Sequence, residues 1–570
     1  MRKRLVVDAV LAFDAPFAVG GLEGGPQSDR PLLRDAGDRP ALPGTSIAGC
    51  LRGLLSRLAP HLDEAWTGGV EELLGTPLDE REGRPSRLGV HDAEPLSSMD
   101  VRVRDGVGID AWSGAARRRL KYDLEIADGR PRFQVRLELD LDGDLETVSR
   151  RRDLLALALW EWSDGRGALG ARSGTGLGRF RLEELRAREL DLADRETLRA
   201  WLRARPDGED RLTPGGAPLG GVPEPAGARP ARGDAGGVRA AISLVGVPPR
   251  LGGRAAGDGS WPGHVRVRTE LRFASPLLVG GNVPLPTSTS DLDLEHITRG
   301  RPEGAVPILP GSTLRGLVRG RAARIVRTLG GVPAACDPNE SGPLEDATPL
   351  DSRAAARRDL RACGRRLADA HSRMEGAGPA ERTAGGPAAA ADVRARSCPV
   401  CRLFGHTELG GRVRVEETDL TDPGDRLVLD HVAIDRFTGG AADARKFDAA
   451  PRTHVGAAFH VDIERPETWE LALLLLALRD LCDGWVPVGH GGSRGYGAVE
   501  GHVTEIEVLG VPGGPLDSLC GEDAGPWRRG HIDLKPAGFP DGLPPAAVAV
   551  LQSGMEAVAE LARQHAGAER

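Results

Sequence analysis

The chain repeats itself, and that repetition constrains its fold more than any other feature. "GVGIDAWSGAARRRLKYD" (Gly106–Asp123) aligns without a gap to "HVAIDRFTGGAADARKFD" (His431–Asp448). Trp112 matches Phe437, Ser113 matches Thr438 and Tyr122 matches Phe447. Upstream, "FDAPFAVGGLEGG" (Phe13–Gly25) resembles "FASPLLVGGNVPL" (Phe273–Leu285). "PALPGTSIAGCLRGLL" (Pro40–Leu55) likewise resembles "PILPGSTLRGLVRGRA" (Pro307–Ala322). Downstream, each half continues with an apolar helical run, "RRDLLALALWEW" or "ELALLLLALRDL", and a glycine-rich strand entry, "RSGTGLGRF" or "HGGSRGYGAV". The order is the same in both halves. A chain of 570 residues has room for two such modules, each with its own core.

The first module is assigned to residues 1–205 and the second to 264–509. Residues 206–263, rich in Gly, Pro and Arg, read as a linker in which "VRAAISLVGV" is expected as a strand. Residues 510–570 form a tail ending in a helix, "PPAAVAVLQSGMEAVAELARQ". The offset between copies grows from 267 residues at the PG motifs to 325 at the repeat described first, so the second module carries an insertion of 58 residues. That insertion, within about 331–405, holds four of the seven cysteines.

After the first PG motif, Ile47, Cys50, Leu51, Leu54, Leu55 and Leu58 recur at helical spacing. "FQVRLELDLD" and "AAFHVDIE" alternate with a period of two, as half-buried strands do. The expected class is α+β, with an antiparallel sheet and helices on one face of each module.

No apolar run approaches the roughly 18 residues that span a bilayer, and the N-terminus alternates like a strand rather than a signal peptide. Unevenly spaced cysteines point to a reducing compartment, so a cytoplasmic protein without a membrane partner is expected. The net charge of −8 argues against indiscriminate nucleic-acid binding but leaves room for a local basic groove.

In "LPGTSIAG" and "LPGSTLRG", Thr45 and Ser46, or Ser312 and Thr313, offer hydroxyls for a helix N-cap. The amides of such an N-terminus can seat a phosphate, and Arg52, Arg315 and Arg319 stand further along the same helices. The plainer reading is a turn and a cap. "GTGLGRF" is not a dinucleotide-binding loop, because the helix precedes it and a strand follows. Its glycines allow close backbone approach, and Arg172, Arg179 and Arg494 lie near enough in sequence to reach phosphates. "CPVCRLFG" places Cys398 and Cys401 at zinc-knuckle spacing, and no thioredoxin-like context supports redox chemistry. Cys336 and Cys363 complete a structural Zn2+ set, with His371 as a substitute ligand.

Taken in order and twice over, the glycine pairs, LPG-S/T, CPVCRLFG, "VAIDRFTGGA" and the closing G-x-G strand resemble the RAMP superfamily. More narrowly, they resemble the repeated backbone subunit of type III CRISPR effector complexes (the Csm/Cmr kind). The resemblance implies tandem ferredoxin-like, RNA-recognition-motif-like modules with thumb hairpins. It also implies guide CRISPR RNA, complementary target RNA and other effector subunits as partners. The first-described segments would then lie in or beside a thumb, with Trp112 and Phe437 wedged against bases. Arg436, Lys121 and Lys446 would contact the RNA alongside them. The opposing reading buries both aromatics in a core strand.

In that family an aspartate in the loop before the LPG helix supports metal-dependent cleavage of target RNA. Its S/I-D-x-P-x-x-R pattern falls on Asp29, with Pro31, Leu33 and Arg34. In the second module Asp291 and Asp293 compete. Asp293 is preferred because it precedes Ile297 as Asp29 precedes Leu33. A carboxylate there could hold Mg2+ or Mn2+, or orient a 2′-hydroxyl for attack on the adjacent phosphate, leaving a cyclic phosphate. The resemblance thus implies a metal-dependent endoribonuclease acting within a complex. Its rivals are a non-catalytic scaffold, a guide-processing nuclease centred on His296, and a binding protein unrelated to RNA.

Overall fold

The computed structural model describes the chain except for residues 1–2, 22–27, 67, 77–82, 111–113, 204–234, 253–260, 281–292, 302–303, 340–361, 368–386, 423, 535–537 and 569–570. It divides into two compact units. The first comprises Met1–Arg102, Glu125–Ser173 and Leu177–Gly252; the second comprises Val103–Leu124, Gly174–Gly176 and Gly253–Arg570. Among the described residues no helix is long and apolar enough to cross a membrane.

In the first unit the chain runs strand Lys3–Phe13, helix Gly44–Leu58, short strand Leu88–Val90, strand Arg132–Asp140, helix Leu145–Ser163 and strand Arg179–Asp191. Lys3–Phe13 lies between Arg132–Asp140 and Arg179–Asp191, antiparallel to both, and Leu88–Val90 extends the Arg132–Asp140 side. Leu5, Val7, Ala9, Leu11 and Phe13 alternate onto one face and are buried. There Phe13 meets Phe17 at 5.1 Å and Phe133 at 5.8 Å between ring centroids. On the other face Asp8 is held by Arg136 (Nε–Oδ1 2.7 Å) and Arg188 (3.4 Å), which offsets the cost of burying its charge. The helix Leu145–Ser163 starts at Asp144, whose carboxylate accepts from the Thr147 amide at 2.8 Å.

The second unit repeats this plan. Its strand His264–Phe273 is flanked by Gly456–Glu464 and Val499–Gly510, and Thr418–Asp422 pairs with Gly456–Glu464. The helices Gly311–Gly330 and Thr468–Cys482 occupy the positions of Gly44–Leu58 and Leu145–Ser163. Val265, Val267, Leu271 and Phe273 face the core, while Arg266 and Arg268 alternate away from it. Glu470, in the first turn of Thr468–Cys482, is fully buried between Arg394 (2.5 Å) and Arg412 (2.6 Å). Arg394 belongs to the Cys-rich insertion, so this triad fastens the insertion to a core helix. Removing one member of such a buried set leaves an uncompensated charge.

Two segments differ from the sequence reading. "VRAAISLVGV" is not a strand: Ala235–Ile242 is a helix of the first unit. Val238, Ile242 and Val245 are buried at helical spacing, Arg239 pairs with Asp164, and Arg152 donates to the carbonyls of Val245 (2.6 Å) and Leu244 (2.9 Å). The residues after Leu509 are an integral part of the second unit. Trp527–Asp533 adds a strand beside Val499–Gly510, and the helix Pro545–Ala568 packs on Thr468–Cys482 and Gly311–Gly330. Gly554 permits that contact, since a Cβ there would lie 2.4 Å from the Thr468 carbonyl oxygen.

Candidate functional site

The segments that repeat most closely are two β-hairpins of one design. Asp100–Ile109 pairs with Ala116–Asp128, and Leu429–Ile434 pairs antiparallel with Ala441–Ala450. Both tips close on an aspartate. The Asp110 amide donates to Ala115 O and Gly114 N to Asp110 O, at 2.9 and 3.0 Å. Asp435 repeats both bonds with Gly440 and Gly439, each at 2.9 Å. The Asp435 carboxylate also accepts from the amides of Phe437 and Thr438, both at 2.9 Å. These bonds, Thr438 first, hold its carboxyl below the usual carboxylate range. The turn presents Phe437 at 88% exposure with the Arg436 guanidinium 5.9 Å from its ring centre, so the buried-core reading does not hold for this residue. Trp112 lies outside the described residues.

The hairpin lysines each pair across their own hairpin, Lys121 with Asp105 at 3.2 Å and Lys446 with Asp430 at 3.4 Å. Asp430 sits directly opposite Asp448. The hydrogen bond between them, with Lys446 close by, lowers the Asp430 carboxyl and raises that of Asp448. The first hairpin is further engaged within the second unit. Arg104 pairs with Glu417, Arg117 with Asp337 at 3.6 Å, and Asn339 donates to the Ile109 carbonyl at 2.8 Å.

The two aspartate loops lie in matching backbone register. Leu33 N donates to Val19 O at 2.8 Å, and Ile297 N donates to Val279 O at 3.0 Å. Leu32 bridges to Gly20 as His296 bridges to Gly280. Asp29 and Asp293 therefore occupy equivalent, exposed positions; Asp291 lies outside the described residues. Glu125 of the first hairpin anchors the Asp29 loop. Its carboxylate accepts from Leu32 N and from Arg34 Nη2, both at 3.0 Å, and its amide donates to Arg30 O at 3.0 Å. This explains the arginine five residues after Asp29. In the second module Leu294–Glu295 pairs parallel with Ala449–Ala450, and Asp293 Oδ2 accepts from Asp448 N at 3.0 Å.

His296 is a core residue. Its Nδ1 accepts from Val279 N at 3.2 Å, so Nε2 carries the proton and donates to Ile308 O at 3.0 Å. Burial pushes its pKa down to about 4. Between about 6.5 and 4 the unfolded chain takes up a proton that the folded chain refuses, so stability falls as the pH drops through that window. The loss should approach about 3 kcal/mol. His296→Gln, which can keep both bonds, should flatten that part of a denaturant-melt profile while leaving any RNA cleavage intact. A loss of cleavage with an unchanged melt would restore the histidine-centred nuclease.

The LPG motifs differ from the expected caps. Pro43 and Pro310 hold the N-cap positions, neither helix has a side-chain cap bond there, and Thr45, Ser46, Ser312 and Thr313 fall in the first turns. The Gly44 amide donates to Asp92 Oδ1 at 2.7 Å, so a carboxylate already sits where a phosphate was expected. Glycine is needed here because a Cβ would lie 2.2 Å from Val90 O at Gly44 and 2.3 Å from Val415 O at Gly311.

The arginines beyond these motifs grip backbone. Arg52 donates to the carbonyls of Leu74 and, at 3.1 Å, Gly75. Arg315 holds the Phe404 carbonyl, and Arg319 donates to Gly405 O at 2.9 Å and Cys401 Sγ at 3.3 Å. Of the glycine-loop arginines, Arg172 takes a left-handed φ of 62°, Arg179 is half-buried at the start of its strand, and Arg494 is exposed.

Cys336, Cys363, Cys398 and Cys401 are buried with all four sulfurs within 4.8 Å of one another. Cys336 Sγ lies 3.4 Å from Cys401 Sγ and 3.8 Å from Cys398 Sγ. These separations are too long for a disulfide and near the ~3.8 Å edge of a tetrahedron with metal–sulfur bonds of ~2.3 Å. Hydrogen bonds from Cys336, Cys363 and Cys401 hold the Cys398 thiol well below its usual range. Cys401, bonded first to Cys336, is pushed well above it. Four thiols this close cannot all ionise without a cation among them. Arg319 and Arg366 (Nη2 3.8 Å from Cys363 Sγ) would offset the negative charge of a filled site. His371 lies outside the described residues.

The sequence model of the RAMP superfamily matches residues 11–181 and 270–500, one stretch in each repeat. The chain belongs to the RAMP superfamily, with its characteristic domain present twice. No curated protein matches the chain significantly.

Proposed function

We propose that the chain is a backbone subunit of a type III CRISPR ribonucleoprotein, binding guide RNA and cleaving paired target RNA at two regularly spaced places. The observation that carries this reading is the repeated juxtaposition of an exposed aspartate loop with the base of a hairpin, in the same backbone register in both modules. The order of strands, with the first strand between the third and fourth and the second beside the third, supports a ferredoxin-like core in each module, which Gly304–Leu309 extends beyond the second strand in the second module. The four-cysteine cluster is a structural Zn2+ site in this reading: four sulfur ligands leave no open position for catalysis. Asp29 and Asp293 are the cleaving carboxylates, the second flanked by Asp448, where Mg2+ or Mn2+ would relieve the crowding of negative charge.

Arg436, Phe437 and Lys446 supply the second hairpin's contacts with RNA. Thr45, Ser46, Ser312 and Thr313 remain reachable for backbone contact, whereas Arg52, Arg315 and Arg319 act through the protein's own carbonyls.

The test is to purify the complete complex and ask whether this subunit crosslinks to guide RNA, and whether Phe437→Ala disturbs it. Phe437 is exposed, so the variant should melt within about 0.5 kcal/mol of wild type. A lost base stack should weaken or misplace target binding by about 1–3 kcal/mol. Absence of any crosslinked RNA would reject the proposal.

A further inference from the structure

We propose that the base of the second hairpin is a nucleotide-binding subsite for single-stranded RNA, in which His431, Phe447 and Arg494 form a stacking platform and His490 fixes the arginine. The proposal rests on the RNA-binding reading above and adds a site specific to one module. The His431 and Phe447 rings stack with centroids 4.9 Å apart and planes inclined by 20°. The Arg494 guanidinium lies 5.2 Å from the Phe447 ring centre. One end of the platform is anchored, since His431 Nε2 meets the hydroxyl of the buried Tyr496 at 2.8 Å. At the other end Arg494 Nη2 donates to His490 Nε2 at 2.8 Å. That bond leaves His490 neutral and, among the described residues, the remaining guanidinium donors uncommitted.

Among the described residues Arg494 pairs with no carboxylate, although it is exposed. A planar cation layered on an aromatic pair at a surface suits a base face together with its phosphate better than it suits a protein partner.

The first module provides an internal comparison. The glycine loops superpose by their backbone bonds: Leu169 N to Gly178 O and Val488 N to Gly497 O are each 2.9 Å. In that alignment Gly106 replaces His431, Thr175 replaces Arg494 and Ala171 replaces His490. Tyr122, the counterpart of Phe447, lies across Gly106, where a Cβ would come within 2.1 Å of its ring. The first module therefore lacks the platform, and its own ring closes the space.

The experiment uses the full chain with a fluorescent single-stranded RNA of about one module's span, read by anisotropy, and 4-thiouridine crosslinking mapped by mass spectrometry. Arg494→Lys keeps the charge and removes the plane; His431→Ala removes the outer ring. Each should weaken binding by about fivefold or more at unchanged melting temperature. The wild-type crosslink should fall within residues 431–447 or 490–496. Unaltered affinity in both variants, or crosslinks confined to the first module, would overturn the subsite while leaving RNA binding standing. Wild-type protein that binds no RNA would overturn both readings. If a variant melts lower, the wild-type crosslink position decides.

Discussion

Replacing Cys398 and Cys401 together with serine should strip the second unit of its metal and of its native fold. Freshly purified, reduced wild-type protein should carry about one zinc per chain, and the double variant none. The expected loss is large because apparent binding free energies of structural zinc reach about 10–16 kcal/mol near neutral pH. The four sulfurs join segments far apart in sequence: Cys336 follows the LPG helix, Cys363 sits in a short helix, and Cys398 and Cys401 open another. Arg315 and Arg319 then hold the carbonyls that end the Cys398–Cys401 turn. Without the metal, protons return to four buried thiols and this contact network loses its centre. Limited proteolysis should cut the second unit while the first, with a separate core of Phe13, Phe17 and Phe133, resists. Wild-type protein free of zinc, with an unchanged melt in the variant, would refute the metal assignment.

Asp29→Ala and Asp293→Ala should each erase one cut in target RNA and leave the other. A fall of about 100-fold or more at the affected position is expected, the usual scale for losing a group that transfers a proton in the transition state. Binding of guide and target should stay near wild type, because removing one exposed carboxylate subtracts nothing from the basic contacts and lessens repulsion of phosphates. Chelating divalent ions should stop both cuts. Asp291→Ala serves as the register control: Asp293 shares the backbone register of Asp29 through the matching bonds of Leu33 and Ile297, so on the proposed reading Asp291→Ala should leave both cuts. If cleavage by the complex survives all three substitutions, the protein is a scaffold.

Several of these features were legible in the sequence because two copies could be read against each other. The duplicated order located both sheets, both LPG helices and the paired segments, the family resemblance placed those segments in or beside hairpins, and CxxC spacing led to the four cysteines. Asp293 was reached by counting back from Ile297, a distance that the backbone bonds reproduce. Other features depend on contacts between residues far apart in sequence. Nothing local to Arg315 or Arg319 announces that their partners are carbonyls more than 80 residues away. Asp92 capping Gly44 and Glu125 bracing Arg34 are also far from their partners, 48 and 91 residues away. "VRAAISLVGV" misled because its apolar residues fit an alternating and a helical pattern alike, and only packing on the first unit chooses between them. Asp110 and Asp435 were visible as identical residues in the repeat. Their role in shaping the hairpin tips was masked by the aromatics beside them.

The contrast between His431 and Gly106 also bears on how an assembly of such chains can be patterned. In a filament of identical single-module subunits, any side chain recurs at every step, and an improvement at one position along the bound strand is copied to all of them. Fusing two modules doubles the repeating unit. A residue present in one half then recurs only at alternate steps, in fixed proportion and fixed order, because the linkage between halves is covalent. In the proposed assembly along RNA, selection could thus tune odd and even positions independently, letting one hold the strand more tightly while the other releases it.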